Sequence, residues 1–493
     1  MNVSINQTDL KRLDNFEKPT LFIANQPKKK KEEKVLKSFL GSKYPGIIGI
    51  SLNIDKPKKS ISNIQAIIEG CNQTTAKPVF VLLVSFCSQK DNDLIYQKQL
   101  NKCFDWLKKM NIDIVLVSIV SNKLIGTDNL TDELPQKDTL QIRISPKIES
   151  TDIALLKKGY EFRRFVQSRL FAMNALNTTK ANVSKLAGTD GSQAKIAEPT
   201  DSSLVSSEID LLRYWGFRVV EQSNFEVFVA DSALIPYTLR EIGRLREMTF
   251  RAVGEGTGNE MDIDDFDFYY KQLVIWDKTE CRIVGGYRIG LGDRVFAQYG
   301  VNGFYISTLF KIKEELFKTL IKSIELGRSY IIEDYQRKPQ PLFLLWKGIL
   351  MFLLANPQYR YLIGPVSISR KYSDISRGMM VAFLKKHHFN KKLSKHLKPR
   401  KAFKVKSKGI DTDILLKTLG KEISNLDKFI ESTEVGLSRT PVLLRQYIRQ
   451  NAKFIGFNID PLFADCLDGL IVVDIKDIPK STIEALQKER LSN

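Results

Sequence analysis

The sequence predicts an α/β protein built in two blocks. Apolar runs of strand length alternate with segments whose apolar residues recur at helical spacing. A stretch of small and polar residues at 177–207 (NTTKANVSKLAGTDGSQAKIAEPTDSSLVSS) parts the blocks and reads as a flexible linker. The length of 493 residues exceeds what one core ordinarily organises, so two or three domains are expected.

In the first block, PVFVLLVSF at 78–86 and IDIVLVSIV at 112–120 are apolar runs suited to buried strands. Residues 92–110 between them have helical spacing, giving a strand–helix–strand unit. The lysine run Lys28–Lys31 reads as a solvated loop. In the second block, 235–252 is an amphipathic helix with Pro236 in its first turn. Strands follow at 269–276 and 282–289, joined by a turn at 277–280. Further strands are expected at 305–308, 324–332 and 361–368, with a helix at 342–355 between the last two. A basic stretch, 385–408, contains no acidic residue, and 441–474 resumes globular character. The expected partition is 1–174, a linker at 175–207, and a second domain at 208–480.

Composition narrows the partners. A formal charge of +20 asks for an anionic one: nucleic acid, an anionic membrane surface or an acidic protein. No helix-turn-helix, zinc finger or RNP-like aromatic set is present, so nucleic acid is not expected. Five scattered cysteines without a C-x-x-C pair argue against disulfides or zinc and fit a reduced cytoplasm. The first residues lack the apolar core of a signal peptide. The apolar stretch at 341–355 is too short to span a bilayer and contains Lys347, so it reads as a core helix. Membrane contact is then expected to be peripheral, on the inner face.

Several catalytic engines are excluded. The histidines, His387, His388 and His396, all lie in the basic stretch, which leaves no Ser-His-Asp triad. No P-loop and no metal-ligand spacing occurs. Gly254–Gly258 (GEGTG) resembles a phosphate cradle but follows a helix instead of a strand. At 335–341, YQRKPQP lies where a strand opens into a helix. Backbone N–H groups there, with Gln336, Arg337 and Lys338, are suited to a pantetheine or phosphate; a solvated turn is the alternative.

Ordered strings then carry a resemblance. RLREMTF (244–250), DIDDFDFYY (262–270), VGGYRIG (284–290), FYISTLF (304–310), ELGRS (325–329), YQRK (335–338), LLWKGI (344–349) and YLIGPVSIS (361–369) occur in one order. With TPVLLRQY (440–447) and GFNIDPLFADCLDGLIVVD (456–474), they resemble the haemolysin-like GNAT family over roughly 206–475. That family includes bacterial ornithine and glycine N-acyltransferases of aminolipid synthesis, and its core resembles the acyl-homoserine-lactone synthases. The residues matching that shared core are Arg246 and Phe250, Asp264 and Asp267, Arg288, and Glu325 with Arg328. Many family members carry histidines where this chain has Lys271 and Gln272.

The resemblance implies a mixed sheet with splayed central strands. It also implies a reaction: a free amine attacks an acyl thioester carried by acyl carrier protein or coenzyme A, with no bound cofactor or metal. Glu325 is the expected base or base relay, assisted by Asp267. Asp264 and Asp267 are expected to hold the acceptor's amine, with capping as the alternative. Arg246, Arg288 and Arg328 are expected to hold its carboxylate, with ion pairing as the alternative, and Phe250 to line the substrate. Glu325 and Arg328 point to opposite faces of a regular strand, so pairing them needs a bulge.

The first block resembles a degenerate PlsC-type glycerolipid acyltransferase domain. LQIRISPKI at 140–148 looks like that family's late strand. The His and Asp that its chemistry needs are absent, and SFCSQ at 85–89 replaces its phosphate-binding strand. The leading reading is acylation of a small amino acid, ornithine or glycine. An acylated-signal synthase of the same fold and a decayed lipid- or carrier-binding protein are the rivals. Expected partners are acyl carrier protein and an anionic leaflet; oligomeric state is left open.

Overall fold

The structure is a computed structural model. It describes residues 193–405, 409–434 and 439–479 without a break, 94–109, 112–121 and 139–174, and shorter pieces nearer the amino terminus. Lys28–Lys31, 85–89, 175–192 and 406–408 lie outside the described residues.

The chain forms two compact units that interleave in sequence. One comprises Met1–Ala187, Ser373–Ala382 and Lys406–Thr440; the other comprises Gly188–Tyr372, Phe383–Val405 and Pro441–Asn493. The expected contiguous partition therefore differs from the observed one. The physical reason lies in the helices Thr412–Leu419 and Ile423–Thr433, whose buried faces (Leu415, Leu419, Leu426, Phe429) pack in the first unit. Arg143 fixes them there: its guanidinium donates to the carbonyls of Met173, Ser432, Thr433 and Glu434 at 2.7–3.1 Å. These are carbonyls at the ends of two helices that have no further turn to bond to. Within the partition expected as linker, a helix begins at Ser202, capped by the Asp201 side chain on the Ser203 N–H.

In the first unit a six-stranded sheet has Thr20–Asn25 at its centre, flanked by Val79–Val84 and Asp113–Ser121, all parallel. The strand–helix–strand unit expected at 78–120 is present, with the helix at Leu94–Lys109. Their unbroken apolar runs made both strands legible in the sequence.

The second unit is built on an eight-stranded sheet. In chain order its strands are β1 (Arg218–Gln222), β2 (Phe225–Asp231), β3 (Lys271–Asp277), β4 (Arg282–Leu291), β5 (Ser323–Ile331), β6 (Tyr361–Ile368), β7 (Lys453–Asp460) and β8 (Cys466–Asp474). Their order across the sheet is β7-β8-β6-β5-β4-β3-β2-β1. Neighbours are antiparallel except β5 and β6, which are parallel and joined by a crossover helix. Three helices matter here: α1 (Ser202–Tyr214), α2 (Pro236–Val253) and α3 (Pro339–Ala355). Pro339 opens α3 where its missing N–H is no loss. The stretch 341–355 is indeed a core helix: it packs on β1–β4, and its Lys347 is buried with Nζ donating to Gln222 at 2.9 Å. Among the described residues no helix is long and apolar enough to cross a membrane.

One expected strand is corrected. Residues 305–308 form a helical turn, Ile306–Leu309, because the Tyr305 and Ile306 N–H groups bond a side chain and leave no ladder to join. The strand comes just after, at Phe310–Ile312, and pairs with Leu397–Pro399. That partner lies in the basic stretch. Residues 388–401 of the stretch run along β7, exchanging backbone hydrogen bonds with Phe454 and Ile459. Phe389 stacks on Phe457 at 6.3 Å. The segment thus covers an otherwise open sheet edge, while Lys385, Lys391, Lys392, Lys395 and Lys398 stay exposed.

Candidate active site

Strands β5 and β6 pair over only three residues, Ser323–Glu325 against Tyr361–Ile363, and then part. Gly364 sits at the fork: a Cβ there would overlap the Leu326 carbonyl oxygen. Beyond the fork on β5, a bulge opposite Gly286–Arg288 places Arg328 at φ 51°, a left-handed conformation that non-glycine residues rarely adopt. A bulge of the kind that pairing Glu325 with Arg328 would need is present, yet the two do not pair.

The splayed strands border a small, partly open cleft. Its two ends differ. One is apolar and aromatic, lined by Phe250, Tyr287, Leu326, Val366, Leu443 and Tyr447. The other is charged, lined by Arg328, Asp460 and Asp468, with Tyr305 between. The turn after β7 folds Phe463 over this end, edge-on to Phe250 at 5.1 Å and under the Arg328 guanidinium at 4.9 Å.

A buried ion network backs the charged end. Arg246 bonds Asp262 at 2.8 Å and Asp267 at 2.7 Å. Arg288 bonds Asp264 and reaches Asp267 at 3.1 Å. Arg328 bonds Asp262 at 3.0 Å and Asp264 at 3.3 Å, and donates to the Tyr305 hydroxyl at 3.2 Å. Burial alone would raise the Asp267 carboxyl, but Arg246 and Arg288 outweigh it and hold it well below the usual range. Asp262 is likewise lowered against its burial by Arg246 and Arg328. The alternative readings are both seen: Asp264 and Asp267 form a reciprocal capping box, as the aspartates' alternative has it, and the arginines make these buried ion pairs, as theirs has it. Asp262 was not singled out as a site residue, although its string was.

Arg246 and Arg288 are each 1% exposed and lie behind the cleft wall, so of the expected carboxylate forks only Arg328 faces the cleft. Among the described residues the Arg288 Nε and Nη2 groups have no hydrogen-bond partner, and the guanidinium carbon lies 5.3–5.5 Å from the ring centroids of Phe266, Tyr270 and Tyr305. Lys271 pairs with Asp231 at 2.7 Å, and buried Gln272 bonds Ser232 and Asp267.

Glu325 occupies the fork itself, 1% exposed. Its carboxylate accepts from the Tyr270 hydroxyl, from Tyr305 N–H at 3.1 Å and from Ile306 N–H at 2.8 Å. Burial pushes its carboxyl up to about 7, against those hydrogen bonds and the charge of Arg288. It does not line the cleft. Tyr270, Tyr305, Asp460 and Asp468 escaped the sequence reading as site residues: a single acid on a strand, or a tyrosine beside one, gives no periodic signal of what it borders.

Gln336, Arg337 and Lys338 lie exposed between a helical turn, Glu333–Gln336, and the start of α3. Gln336 donates to the Ile331 carbonyl at 2.9 Å, and Lys338 stacks over the Tyr335 ring at 4.3 Å. The glycine turn at 254–258 is filled by the chain's own Glu247, which accepts from the N–H groups of Thr257 and Gly258 at 3.0 and 2.8 Å.

Comparison with known proteins places this geometry. A family described as "Acetyltransferase (GNAT) domain" matches residues 245–347. The glycine N(alpha)-acyltransferase of Phocaeicola vulgatus is 32% identical over 257 residues, 50% of this chain and 72% of that protein. The glycine N(alpha)-acyltransferase of Bacteroides thetaiotaomicron is 35% identical over 204 residues, 39% of this chain and 60% of its own length. A crystal structure of the AHL synthase LasI aligns over 34% of this chain and 85% of that one, at 14% identity and a TM-score of 0.22, a score too low to carry any argument. With its splayed parallel pair, its matched domain and these relatives, the chain belongs to the GNAT N-acyltransferase family.

Proposed function

We propose that this protein transfers a fatty acyl group from a thioester to the α-amine of a small amino acid, glycine or ornithine, as a step in aminolipid synthesis. The observation that carries the reading is the two-ended cleft: an apolar, aromatic end whose lining suits an acyl chain, and a charged end that suits a zwitterion. Arg328 presents the carboxylate fork at that charged end. The donor is acyl carrier protein or coenzyme A, with Gln336, Arg337 and Lys338 suited to the pantetheine phosphate at the start of α3.

In the reaction the amine attacks the thioester carbon and sheds protons as the amide forms. Glu325 is held too far behind the wall for direct contact, so its part is that of a relay and positioning group. It fixes the Tyr305–Ile306 turn, and with it the Tyr305 ring in the cleft. Asp267 acts at one remove, orienting Arg246 and Arg288. The exposed lysines of 385–404 suit an acidic carrier or an anionic leaflet, each cation near such a surface contributing about 1 kcal/mol. The first unit is read as a non-catalytic acyltransferase-like domain, since no histidine precedes His387.

The test is direct. The purified whole chain is incubated with long-chain acyl thioesters of carrier protein and of coenzyme A, beside glycine or ornithine. Mass spectrometry of N-acyl amino acid and free thiol in equal amounts supports the proposal. Hydrolysis without amide formation, or no turnover of either donor, contradicts it.

A further inference from the structure

The charged end of the cleft contains more acid than the network behind it explains. Asp468 on β8 lines the cleft and is 4% exposed. Among the described residues, the hydrogen-bond partner of its carboxylate is the Cys466 thiol at 3.7 Å, a weak donor, and no arginine or lysine bonds it. Asp460, at the end of β7, accepts from the Tyr305 hydroxyl at 2.9 Å and lines the same wall. Glu255 lies behind them, 7% exposed, held by the Ser367 hydroxyl at 2.9 Å. Arg328 looks across at this group and bonds Asp262, Asp264 and Tyr305 through one N–H of each nitrogen, which leaves an N–H on Nη1 and on Nη2. A buried carboxylate aimed into a cleft without a cation is a costly arrangement that a bound cation relieves.

We propose that Asp468, supported by Asp460, is the ammonium-binding subsite for the amino-acid acceptor and the group that takes the first proton from it. Resting on the acyl-transfer reading, this adds the direct proton acceptor that Glu325, behind the wall, does not supply. The acceptor's carboxylate meets Arg328 while its ammonium meets Asp468. One N–H proton passes to the Asp468 carboxylate, leaving the amine lone pair to form the C–N bond at the acyl carbon. The tetrahedral intermediate collapses, the C–S bond breaks with its electron pair on sulfur, and the nitrogen's second proton goes to the departing thiolate. Asp468 then returns its proton to solvent. Net, an ammonium and a thioester become an amide, a thiol and one released proton.

The electrostatics agree in direction. Burial first, then the charges of Asp460 and Glu255, push the Asp468 carboxyl well above its usual range, against Arg328 and the Cys466 thiol. Glu255 is also raised by burial, against Ser367 and Lys371. With the cleft empty Asp468 therefore tends to hold a proton, and an arriving ammonium displaces it.

Calorimetric titration of glycine and of ornithine into the whole chain, in two buffers of different ionisation enthalpy, tests this. The wild type is expected to release protons on binding and to bind more tightly as pH rises and the Asp468 carboxyl ionises. Asp468→Asn keeps the shape of the side chain, so folding is retained. It is expected to abolish the proton release and to weaken binding of either amino acid at least 10-fold. N-acetylglycine, which lacks the ammonium, is expected to bind wild type and variant alike. In turnover, Asp468→Asn lowers kcat/KM for the amino acid while KM for the thioester holds. Asp460→Asn is expected to show a smaller effect of the same kind. Unchanged amino-acid affinity and proton release in Asp468→Asn, or no binding of either amino acid to the wild type, overturns the subsite. Binding through Asp468 in a chain that forms no amide from any thioester leaves the subsite standing and removes the acyl-transfer reading.

Discussion

Glu325→Gln separates the charge of the fork residue from its shape. The glutamine's carbonyl oxygen can still accept from the Ile306 N–H, while its NH2 replaces the oxygen that accepts from Tyr305 N–H, so the turn keeps one of its two anchors. What it loses is the ionisation that burial disfavours. The Glu325 carboxyl moves from 4.5 to about 7 on folding. At 1.36 kcal/mol per unit, that is a stability difference of about 3 kcal/mol between protonated and ionised forms. The sign follows from the direction of the shift. Below the unfolded value of 4.5 both states are protonated and no penalty exists. As pH rises past 4.5 the unfolded chain ionises first, and the penalty grows until the folded group ionises at about 7. Wild type therefore loses about 3 kcal/mol relative to the glutamine variant between roughly pH 4 and pH 8, whatever constant offset the substitution adds. Urea unfolding across that range, followed by tryptophan fluorescence, reads this out, because Trp215, Trp276 and Trp346 all belong to the second unit. Parallel stability curves for the two proteins would refute the reasoning.

Three further outcomes are expected. Arg246→Met leaves Asp262 and Asp267 buried with a partner missing, and should cost about 3–5 kcal/mol, read as a lowered Tm; an unchanged Tm contradicts the ion network as described. Gly364→Ala places a methyl against the Leu326 carbonyl and should destabilise by about 1–3 kcal/mol while shifting acyl-length preference; a neutral effect on both means the fork does not shape the cleft. Arg337→Glu with Lys338→Glu should raise KM for carrier-bound donors without changing Tm, since both side chains are exposed; an unchanged KM places the carrier elsewhere.

Much of the fold could be read from the chain because its strands are unusually apolar. In β4 every position after the first is buried, and Tyr361–Ile368 fell on its expected bounds. The helix α3 was equally clear, since its buried residues face nearly all sides. The strand expected at 305–308 failed for a local reason: its N–H groups are bound by Glu325, twenty residues on, and pattern alone gives no sight of that bond. The interleaved units were hidden because the helices at 412–433 carry the same amphipathic signal whichever core they join.

The site was legible as a set of residues more than as a set of roles. Arg246, Asp264, Asp267, Arg288 and Arg328 do meet in one network, but only Arg328 among them faces the cleft. Charge pairing in sequence says which groups neutralise each other, not which are turned toward a ligand. Asp460 and Asp468 lie far along the chain and reach the cleft only because β8 pairs with β6. That pairing is tertiary, and no spacing in the primary structure encodes it.

The central claim, acyl transfer from a thioester to an amino acid, is tested most directly in a bacterium that makes no aminolipids. The whole chain is expressed there, beside Glu325→Ala and an empty vector, and total lipids are analysed by mass spectrometry. A new N-acylated glycine or ornithine, present with the wild type and reduced in the variant whose fork anchor is lost, is the expected result. Abundant folded protein with amino acid and acyl donor supplied, and no N-acylated amino acid in the lipids, would contradict the account.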